Sequence, residues 1–239
     1  MSLLKFEHVG LQYPTLEKPI LQNIHYTVQK GDFVVVLGAN GSGKSSLLKL
    51  LDGRYKLSEG KIFLNHTDLS TLSLRARSHH IHTLTQNAKD NLFFSLTIFE
   101  NYQLIRKGQA EEATGSLKEY LSTFNVNLAD KLDVLVERLS GGEQQALALA
   151  LAVLYPPEIL LLDEHTSALD PKTAAHLMAL TAQIVQERRM TALFTTHNVN
   201  HALDYGDRIL ALKEGRVHAC IERSEKKNLS TEQLLARCY

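Results

Sequence analysis

The fold of this chain is decided by residues 34–46, which read Val34-Val35-Val36-Leu37-Gly38-Ala39-Asn40-Gly41-Ser42-Gly43-Lys44-Ser45-Ser46. Four apolar residues predict a short buried strand, and the eight residues after them match the pattern G-x-x-x-x-G-K-[ST] at every position. A helix pattern begins at Ser46. Glycine lets the backbone turn tightly, so that successive N–H groups and the helix N-terminus converge on phosphate oxygens. The stretch therefore predicts a phosphate-binding loop between a strand and a helix.

The residue types of this loop suggest what each position does. Lys44 would reach the outer phosphates as a point charge, and the Ser45 hydroxyl would ligate Mg²⁺. We expect nucleotide contacts from Gly38, Asn40, Gly41, Ser42, Gly43, Lys44, Ser45 and Ser46. The alternative is a Gly/Ser loop that fits the pattern by chance, and the strand before it and the helix after it argue against that alternative.

The composition is that of an ordinary globular protein. Lys plus Arg and Asp plus Glu number 26 each, so we expect no nucleic-acid partner. The first residues lack the apolar run of a signal peptide, and the longest apolar run, 146–155, is too short to cross a bilayer. Cys220 and Cys238 give no disulfide framework. We therefore expect a soluble chain in the reducing cytoplasm.

Strand and helix patterns alternate along most of the chain. Strand patterns lie at 5–12, 20–28, 34–37, 61–64, 159–162 and 191–196, with a hairpin-like pair around 214–215. Helix patterns lie at 142–154 and 171–188, and a capping box at Ser230 opens a last short helix. Residues 87–138 lack convincing strands, and a pattern at 110–121 indicates a helical lobe. This order predicts an α/β fold whose mostly parallel sheet is covered on both faces.

Two carboxylates stand at the end of the apolar strand 159–162. In an open α/β sheet, ligands bind outside the carboxyl ends of the strands, where the phosphate-binding loop also lies. Asp163 suits the coordination shell of Mg²⁺, and Glu164 suits a general base that polarises an attacking water. Taken alone, such a pair is also typical of a strand that ends at the surface.

Four further segments surround these motifs in a fixed order. They are Gln86 at the start of the helical lobe, Leu139-Ser140-Gly141-Gly142-Glu143 before the carboxylate strand, Ser167-Ala168-Leu169-Asp170 after it, and His197 at the end of a later strand. Together with the two motifs above, the set resembles the nucleotide-binding subunit of the ATP-binding cassette (ABC) family. The resemblance covers roughly nine-tenths of the chain.

The resemblance implies a particular architecture. It is a P-loop NTPase (RecA-like) core with a mostly parallel sheet, an antiparallel β-subdomain and an inserted helical subdomain. By position, residues 1–86 and 152–222 would form the nucleotide-binding core. Residues 87–151 would form the helical subdomain with the family signature, and residues 223–239 a C-terminal tail.

The resemblance also implies ATP and Mg²⁺ as cofactors and ATP hydrolysis to ADP and phosphate as the reaction. Residues 38–45 look like the Walker A loop, in which Lys44 both binds ATP and assists catalysis. Asp163 looks like the magnesium ligand and Glu164 like the catalytic carboxylate. Gln86 matches a glutamine that contacts metal and water.

Other parts of the site lie farther from the loop. His197 matches a histidine that touches the γ-phosphate. Ser140, Gly141 and Gly142 match the signature, which in this family meets the ATP of a second subunit in a two-fold dimer. A serine hydroxyl and glycine N–H groups at a helix start are chemically suited to bind an anion. Tyr13 stands where the family stacks adenine, although it could instead pack on the core as a strand-end aromatic.

Having no membrane segment, the chain would work with separate integral membrane permease subunits. The resemblance makes 87–101, with Phe93 and Phe94, the expected docking surface; the alternative is that both rings are core. Residues 197–208 and 229–235 are weakly similar to ATPases of bacterial binding-protein-dependent importers, some for aromatic amino acids. This implies import of a small solute such as an amino acid, a substrate-binding protein, and a position on the inner face of the cell membrane.

Two other functions fit the same motifs. One is a non-transport ABC ATPase of the kind that acts in iron–sulfur assembly. The other is a sensor that binds ATP without hydrolysing it, and the presence of Glu164 and His197 argues against this reading. Homodimers and heterodimers are both compatible with the motifs.

Some positions depart from the family pattern. Glu143 replaces a commoner glutamine, and His165 replaces a proline, which loosens the turn and adds a titratable ring beside the catalytic carboxylate. Ala146 and Leu151 stand where many members have arginines, so we expect an unusually apolar helix face.

A cluster of His79, His80 and His82 raises the alternative of a metal site, because alternate residues on a strand share a face. Without nearby Cys or paired carboxylates, we expect these histidines to be ordinary polar residues.

Overall fold

The computed structural model describes residues 2–13, 15, 17–106 and 117–239. The chain divides into two compact units. Unit 1 comprises Met1–His82, Pro157–Asp163 and Val185–Tyr239, and unit 2 comprises Thr83–Pro156 and Glu164–Ile184. The helix pattern expected at 110–121 lies mostly outside the described residues.

Strands and helices follow the alternation expected from the sequence. The strands are β1 (Ser2–Leu11), β2 (Leu21–Gln29), β3 (Phe33–Leu37), β4 (Glu59–Leu64), β5 (Thr67–Asp68), β6 (Ile81–Leu84), β7 (Ile159–Asp163), β8 (Thr191–Thr196), β9 (Arg208–Lys213) and β10 (Arg216–Ile221). The helices are α1 (Lys44–Leu51), α2 (Leu74–Ser78), α3 (Ile98–Arg106), α4 (Leu117–Ser122), α5 (Gly141–Ala152), α6 (Pro171–Glu187), α7 (Val199–Asp204), α8 (Arg223–Lys226) and α9 (Thr231–Cys238).

Every strand except the second half of β6 lies in unit 1. A four-stranded sheet has the order β2-β1-β4-β5, and its pairs are antiparallel. A six-stranded sheet has the order β10-β9-β3-β8-β7-β6, and β3 pairs in parallel with both β8 and β9. Strand β7 is parallel to β8, whereas β10 runs antiparallel to β9. The predicted α/β class, with a mostly parallel sheet and an antiparallel β-subdomain, is confirmed.

The central strands owe their place to their apolar sequences. Every residue of β3 and β8 is buried, as are residues 159–162 of β7, which is typical of parallel strands covered on both faces. Helix α1 packs on β7 and β8 and buries Leu47, Leu48 and Leu51. Full burial of one such side chain stabilises the fold by about 1.5–3 kcal/mol. This layer holds the carboxyl ends of β3, β7 and β8 at one edge of the sheet.

Unit 2 is built around α5, which is buried on almost all sides. Ala146 and Leu151 are 3% and 2% exposed, so the apolar face expected at these positions faces the interior. The Tyr120 hydroxyl donates a hydrogen bond to the Ala150 carbonyl oxygen at 2.6 Å. Among the described residues, no helix is both long enough and apolar enough to cross a membrane.

Two local details differ from the sequence patterns. Strand β1 ends at Leu11, so Tyr13 lies beyond the strand instead of closing it. The three histidines do not alternate on a strand, because His79 caps the end of α2 and only His82 lies in β6. His80 instead pairs with Glu158, with Nδ1 2.6 Å from Oε1. The described residues contain no group of three metal-ligating side chains.

Candidate active site

The phosphate-binding loop connects β3 to α1 and needs glycine for steric reasons. A Cβ at Gly38 would lie 2.3 Å from the Leu212 carbonyl oxygen, closer than real atoms approach. Gly43, the N-cap of α1, has φ +102°, and a Cβ there would lie 2.7 Å from Leu21 Cδ2. Among the residues that the structure describes, no side chain caps α1, and no acidic residue lies in its first turn. Its first N–H groups and positive dipole end are therefore left to an anionic ligand.

Lys44 lies inside the loop. Its side chain is 5% exposed, and Nζ donates to the carbonyl oxygens of Gly38 at 2.9 Å and Ala39 at 3.1 Å. These two hydrogen bonds hold the Lys44 ammonium group against the backbone of the loop. The buried Ser42 hydroxyl has no hydrogen-bond partner among the described residues. A buried hydroxyl of this kind is typical of a site that a polar ligand completes.

Ser45 and Asp163 meet across the edge of the sheet. The Ser45 hydroxyl donates to Asp163 Oδ1 at 2.8 Å, and Thr195 Oγ1 donates to the same oxygen at 2.7 Å. Strand pairing aligns Asp163 with Thr195, which fixes the carboxylate. Neighbouring ligands of octahedral Mg²⁺, each about 2.1 Å from the ion, lie about 2.9 Å apart. The hydroxyl and carboxylate oxygens therefore fit this ion in chemistry and in spacing.

Glu164 follows β7 in a strained conformation. Its φ is +46°, which non-glycine residues rarely adopt and which costs about 1–3 kcal/mol. In unit 2, its carbonyl oxygen accepts hydrogen bonds from the N–H and the hydroxyl of Ser167, at 2.9 and 2.8 Å. Strain of this kind clusters at functional sites.

His165 does not present its ring to solvent. The residue is 1% exposed, and Nε2 lies 3.2 Å from the Thr181 hydroxyl. That hydroxyl donates its own hydrogen to the Leu177 carbonyl oxygen, so Nε2 carries the hydrogen in this contact. The His165 imidazole, which the sequence placed beside Glu164, is thus buried and donates a hydrogen bond to Thr181 of α6.

Gln86 is exposed, and its backbone is anchored in unit 2. Gln145 Nε2 donates to the carbonyl oxygens of Thr85 at 3.2 Å and Gln86 at 2.7 Å. Gln145 is only 3% exposed. Because this amide fixes the main chain, the Gln86 side chain extends from a supported loop.

The signature forms a capped helix start. Ser140 is the N-cap of α5: its hydroxyl oxygen accepts from the Glu143 N–H at 3.3 Å, and Glu143 Oε2 accepts from the Ser140 N–H at 3.0 Å. Lys131 Nζ lies 2.7 Å from Glu143 Oε1. Burial raises the pKa of Glu143, but Lys131 and the Ser140 N–H outweigh it and leave the pKa below its usual value. Gly141, beside this cap, is exposed.

Two further residues of the expected site lie in unit 1. His197 is exposed and follows β8, whose Thr195 bonds Asp163. Tyr13 is half-buried, and its ring packs edge-on to Tyr55 with centroids 5.4 Å apart. Loss of hydration and a hydrogen bond with Tyr55 raise the pKa of Tyr13.

The structure brings the phosphate-binding loop and Asp163 together and supports Gln86 and the signature within unit 2. Sequence reasoning missed Thr195 and Gln145, which act through contacts between distant residues. It also missed the capping role of Glu143, although Ser140 followed three residues later by Glu143 is a recognisable capping box.

Three features define a P-loop nucleoside triphosphatase: a glycine loop entering a helix, a buried lysine, and a hydrogen bond between a serine in the first turn of that helix and an aspartate at the end of a parallel strand. Comparison with known proteins narrows the class. Residues 21–167 match the ABC transporter family. The chain therefore belongs to the ABC transporter family.

Similar proteins cover nearly the whole chain. A tyrosine transport ATP-binding protein of Clostridioides difficile (strain R20291) is 38% identical over 226 residues, covering 91% of this chain and 90% of that protein. The phosphonates import ATP-binding protein PhnC of Lactococcus lactis subsp. cremoris (strain SK11) is 34% identical over 227 residues, covering 90% of this chain and 91% of that protein. The solved dimer of the ATP-binding cassette MJ0796 with ADP and Pi has a TM-score of 0.79 and 29% identity, covering 92% and 99%.

Membership of the ABC transporter family establishes the activity of this chain. The chain is the ATP-binding subunit of an ABC transporter, and it hydrolyses ATP to ADP and phosphate to drive transport. Subunits of this family dimerise and pair with membrane permease subunits.

Proposed function

We propose that residues 38–46 bind the phosphates of ATP and that Ser45, Asp163 and Gln86 hold Mg²⁺. The contact of the Ser45 hydroxyl with Asp163 Oδ1 at 2.8 Å carries this proposal, because it joins the loop to the end of β7. When bound, Mg²⁺ would neutralise charge on the phosphate oxygens. Lys44 supplies a second positive charge to the outer phosphates, and Tyr13 stacks on adenine.

The remaining residues act on the attacking water and the γ-phosphate. Glu164 accepts the proton of the water, and the strained backbone at this residue supports that role. His197 contacts the γ-phosphate, and Gln86 orients the water. Ser140, Gly141 and Gly142 of a second copy contact the same ATP. Hydrolysis is then largely a matter of positioning and charge stabilisation.

Replacement of the proposed base tests this assignment. Glu164→Gln should lower ATP turnover by about 10²-fold or more while ATP still binds, because a positioned general base contributes about 10²–10⁴-fold. Phosphate release and nucleotide fluorescence give the two quantities. Glu119→Gln, on the exposed face of α4, is the matched control and should leave both unchanged. Normal turnover of Glu164→Gln would contradict the assignment.

An apolar face of unit 2 supports permease docking. Phe93 is 62% exposed, so the alternative that it belongs to the core is wrong, whereas Phe94 is half-buried beneath Lys89. Phe99 and Leu104 are 40% and 47% exposed. A groove of about 620 Å³ beside them is lined by Leu96, Glu100, Gln103, Leu104 and Arg106. An apolar surface of this kind, rimmed by polar groups, suits a permease segment better than water.

We propose import of a small solute such as an amino acid. The similarity to the tyrosine transport and phosphonates import proteins supports this direction and this kind of substrate. A substrate-binding protein would then deliver the solute, and the chain would lie at the cytoplasmic face of the cell membrane. Division into a core (1–86 and 152–222), a helical subdomain (87–151) and a tail (223–239) is part of the same proposal.

Affinity capture tests the proposed partners. Tagged Glu164→Gln chain with ATP is incubated with detergent-solubilised native membranes and, separately, with cytosol, and bound proteins are identified by mass spectrometry. A permease and a solute-binding protein are expected. Soluble iron–sulfur assembly proteins alone would instead favour the non-transport ATPase. A second ATPase subunit among the captured proteins would indicate a heterodimer.

A further inference from the structure

Helix α9 is fixed firmly to unit 1. Leu234 is fully buried and Cys238 is 1% exposed, and the helix packs on α7, β9 and β10. A capping box between Ser230 and Gln233, as expected from the sequence, satisfies the first turn. The residue after the helix, Tyr239, is therefore held in a defined place.

The side-chain hydroxyl and the backbone oxygen of Tyr239 both form hydrogen bonds. Its hydroxyl donates a hydrogen bond to the His197 carbonyl oxygen at 3.1 Å. Lys213 Nζ, at the end of β9, donates to the Tyr239 backbone oxygen. Tyr239 is 40% exposed, and its partial burial and the neighbouring Cys238 raise the pKa of its hydroxyl. The hydroxyl therefore keeps its hydrogen at neutral pH and remains a donor.

The accepting carbonyl lies in a short and otherwise ordered connection. Only His197 and Asn198 separate β8 from α7. The Asn198 side chain caps α7 by accepting from Asn200 N–H at 2.9 Å, and the Asn198 N–H donates to Thr196 Oγ1 at 3.0 Å. Fixing the His197 carbonyl fixes the peptide plane between the two residues. It thereby restricts the backbone angles that aim the imidazole.

We propose that Tyr239 is a positioning residue for His197: its hydroxyl holds the His197 backbone, so that this contact at the end of α9 sets the efficiency of hydrolysis. The inference rests on the proposed contact of His197 with the γ-phosphate. It assigns no contact between Tyr239 and ATP. Loss of the hydroxyl should therefore slow turnover and leave ATP binding unchanged.

Tyr239→Phe removes the hydroxyl and keeps the ring. We expect kcat to fall about three- to tenfold, the effect of one modest hydrogen bond, with KM for ATP unchanged and Tm lowered by only about 2–4 °C. Amide hydrogen exchange in residues 197–204 should become faster. Leu235→Ala, which shortens a side chain on the exposed side of the same helix, is the control and should change none of these quantities. Unchanged kcat and unchanged exchange in Tyr239→Phe would overturn the proposal.

A double-mutant cycle separates this inference from the role of His197. If Tyr239 acts through His197, Tyr239→Phe should have no further effect on kcat in a His197→Ala background. Normal turnover of His197→Ala, with faster exchange in Tyr239→Phe, would refute the proposed γ-phosphate contact and leave only the backbone support. A full additional loss in the double variant would refute positioning through His197.

Discussion

The two glycine-containing helix starts of this chain differ in how the protein treats their N–H groups. Helix α1 has Gly43 as N-cap, no side-chain cap and no acidic residue in its first turn. Helix α5 has Ser140 as N-cap, a complete capping box, and the Glu143 carboxylate in its first turn. Both ends carry the positive end of a helix dipole. Only the end of α1 is left wholly to a ligand.

The difference indicates a division of labour. An uncapped helix start beside a buried lysine gains most from a multiply charged phosphate group, so α1 is suited to be the stronger site. The capped N-terminus of α5 is already stable without a ligand. It can offer a ligand only its exposed residues, Ser140 and Gly141. The signature is therefore suited to a weaker and reversible contact with a nucleotide that is bound elsewhere.

The largest expected effect removes the charge at α1. Lys44→Ala should abolish ATP binding, because the loop then holds the phosphates with N–H groups alone. Nucleotide fluorescence measures the affinity, and Lys56→Ala, an exposed lysine nearby in sequence, should bind ATP normally. Unchanged affinity of Lys44→Ala would remove the distinction between the two helix starts.

A pair of glycine substitutions sharpens the same contrast. Gly38→Ala should destabilise the fold by about 1–3 kcal/mol and impair ATP binding, since its Cβ would lie 2.3 Å from a carbonyl oxygen. At Gly141 a Cβ would meet its nearest atom, Leu169 Cδ2, at 3.6 Å, which is ordinary contact. Gly141→Ala should therefore keep its Tm and lose turnover. Equal losses of Tm in the two variants would show that both glycines serve packing.

The smallest expected effect concerns the cap of α5. The pKa of Glu143 is lowered in the folded chain from a usual value of 4.5, so its stabilising contribution is present above about pH 4.5 and is lost as pH falls through the folded pKa. Glu143→Gln keeps the cap but loses the partly exposed ion pair with Lys131, worth about 0.5 kcal/mol.

Urea unfolding of the unchanged protein and of Glu143→Gln, between pH 3 and pH 7, tests this prediction for the Glu143 charge. The unfolding free energies should differ at neutral pH and converge in acid. A constant difference across the range would mean that the Glu143 charge contributes nothing.

Much of the fold was predictable because its signals are local. The apolar runs that became β3, β7 and β8, the loop at 38–45 and the capping box at Ser230 each depend on residues close in sequence. Short elements such as β5, α2, α7 and α8 were missed, since a few residues carry too little periodicity to stand out.

The sequence by itself determined which residues can bind phosphate, hold a metal and accept a proton, because those properties follow from residue type and short spacing. Only the tertiary structure decided how they are supported. Thr195 on Asp163, Gln145 on the Gln86 backbone and Tyr239 on the His197 backbone each join residues that are distant in the chain. Such contacts depend on strand order and helix packing, which bring remote segments together and leave no local pattern in the sequence.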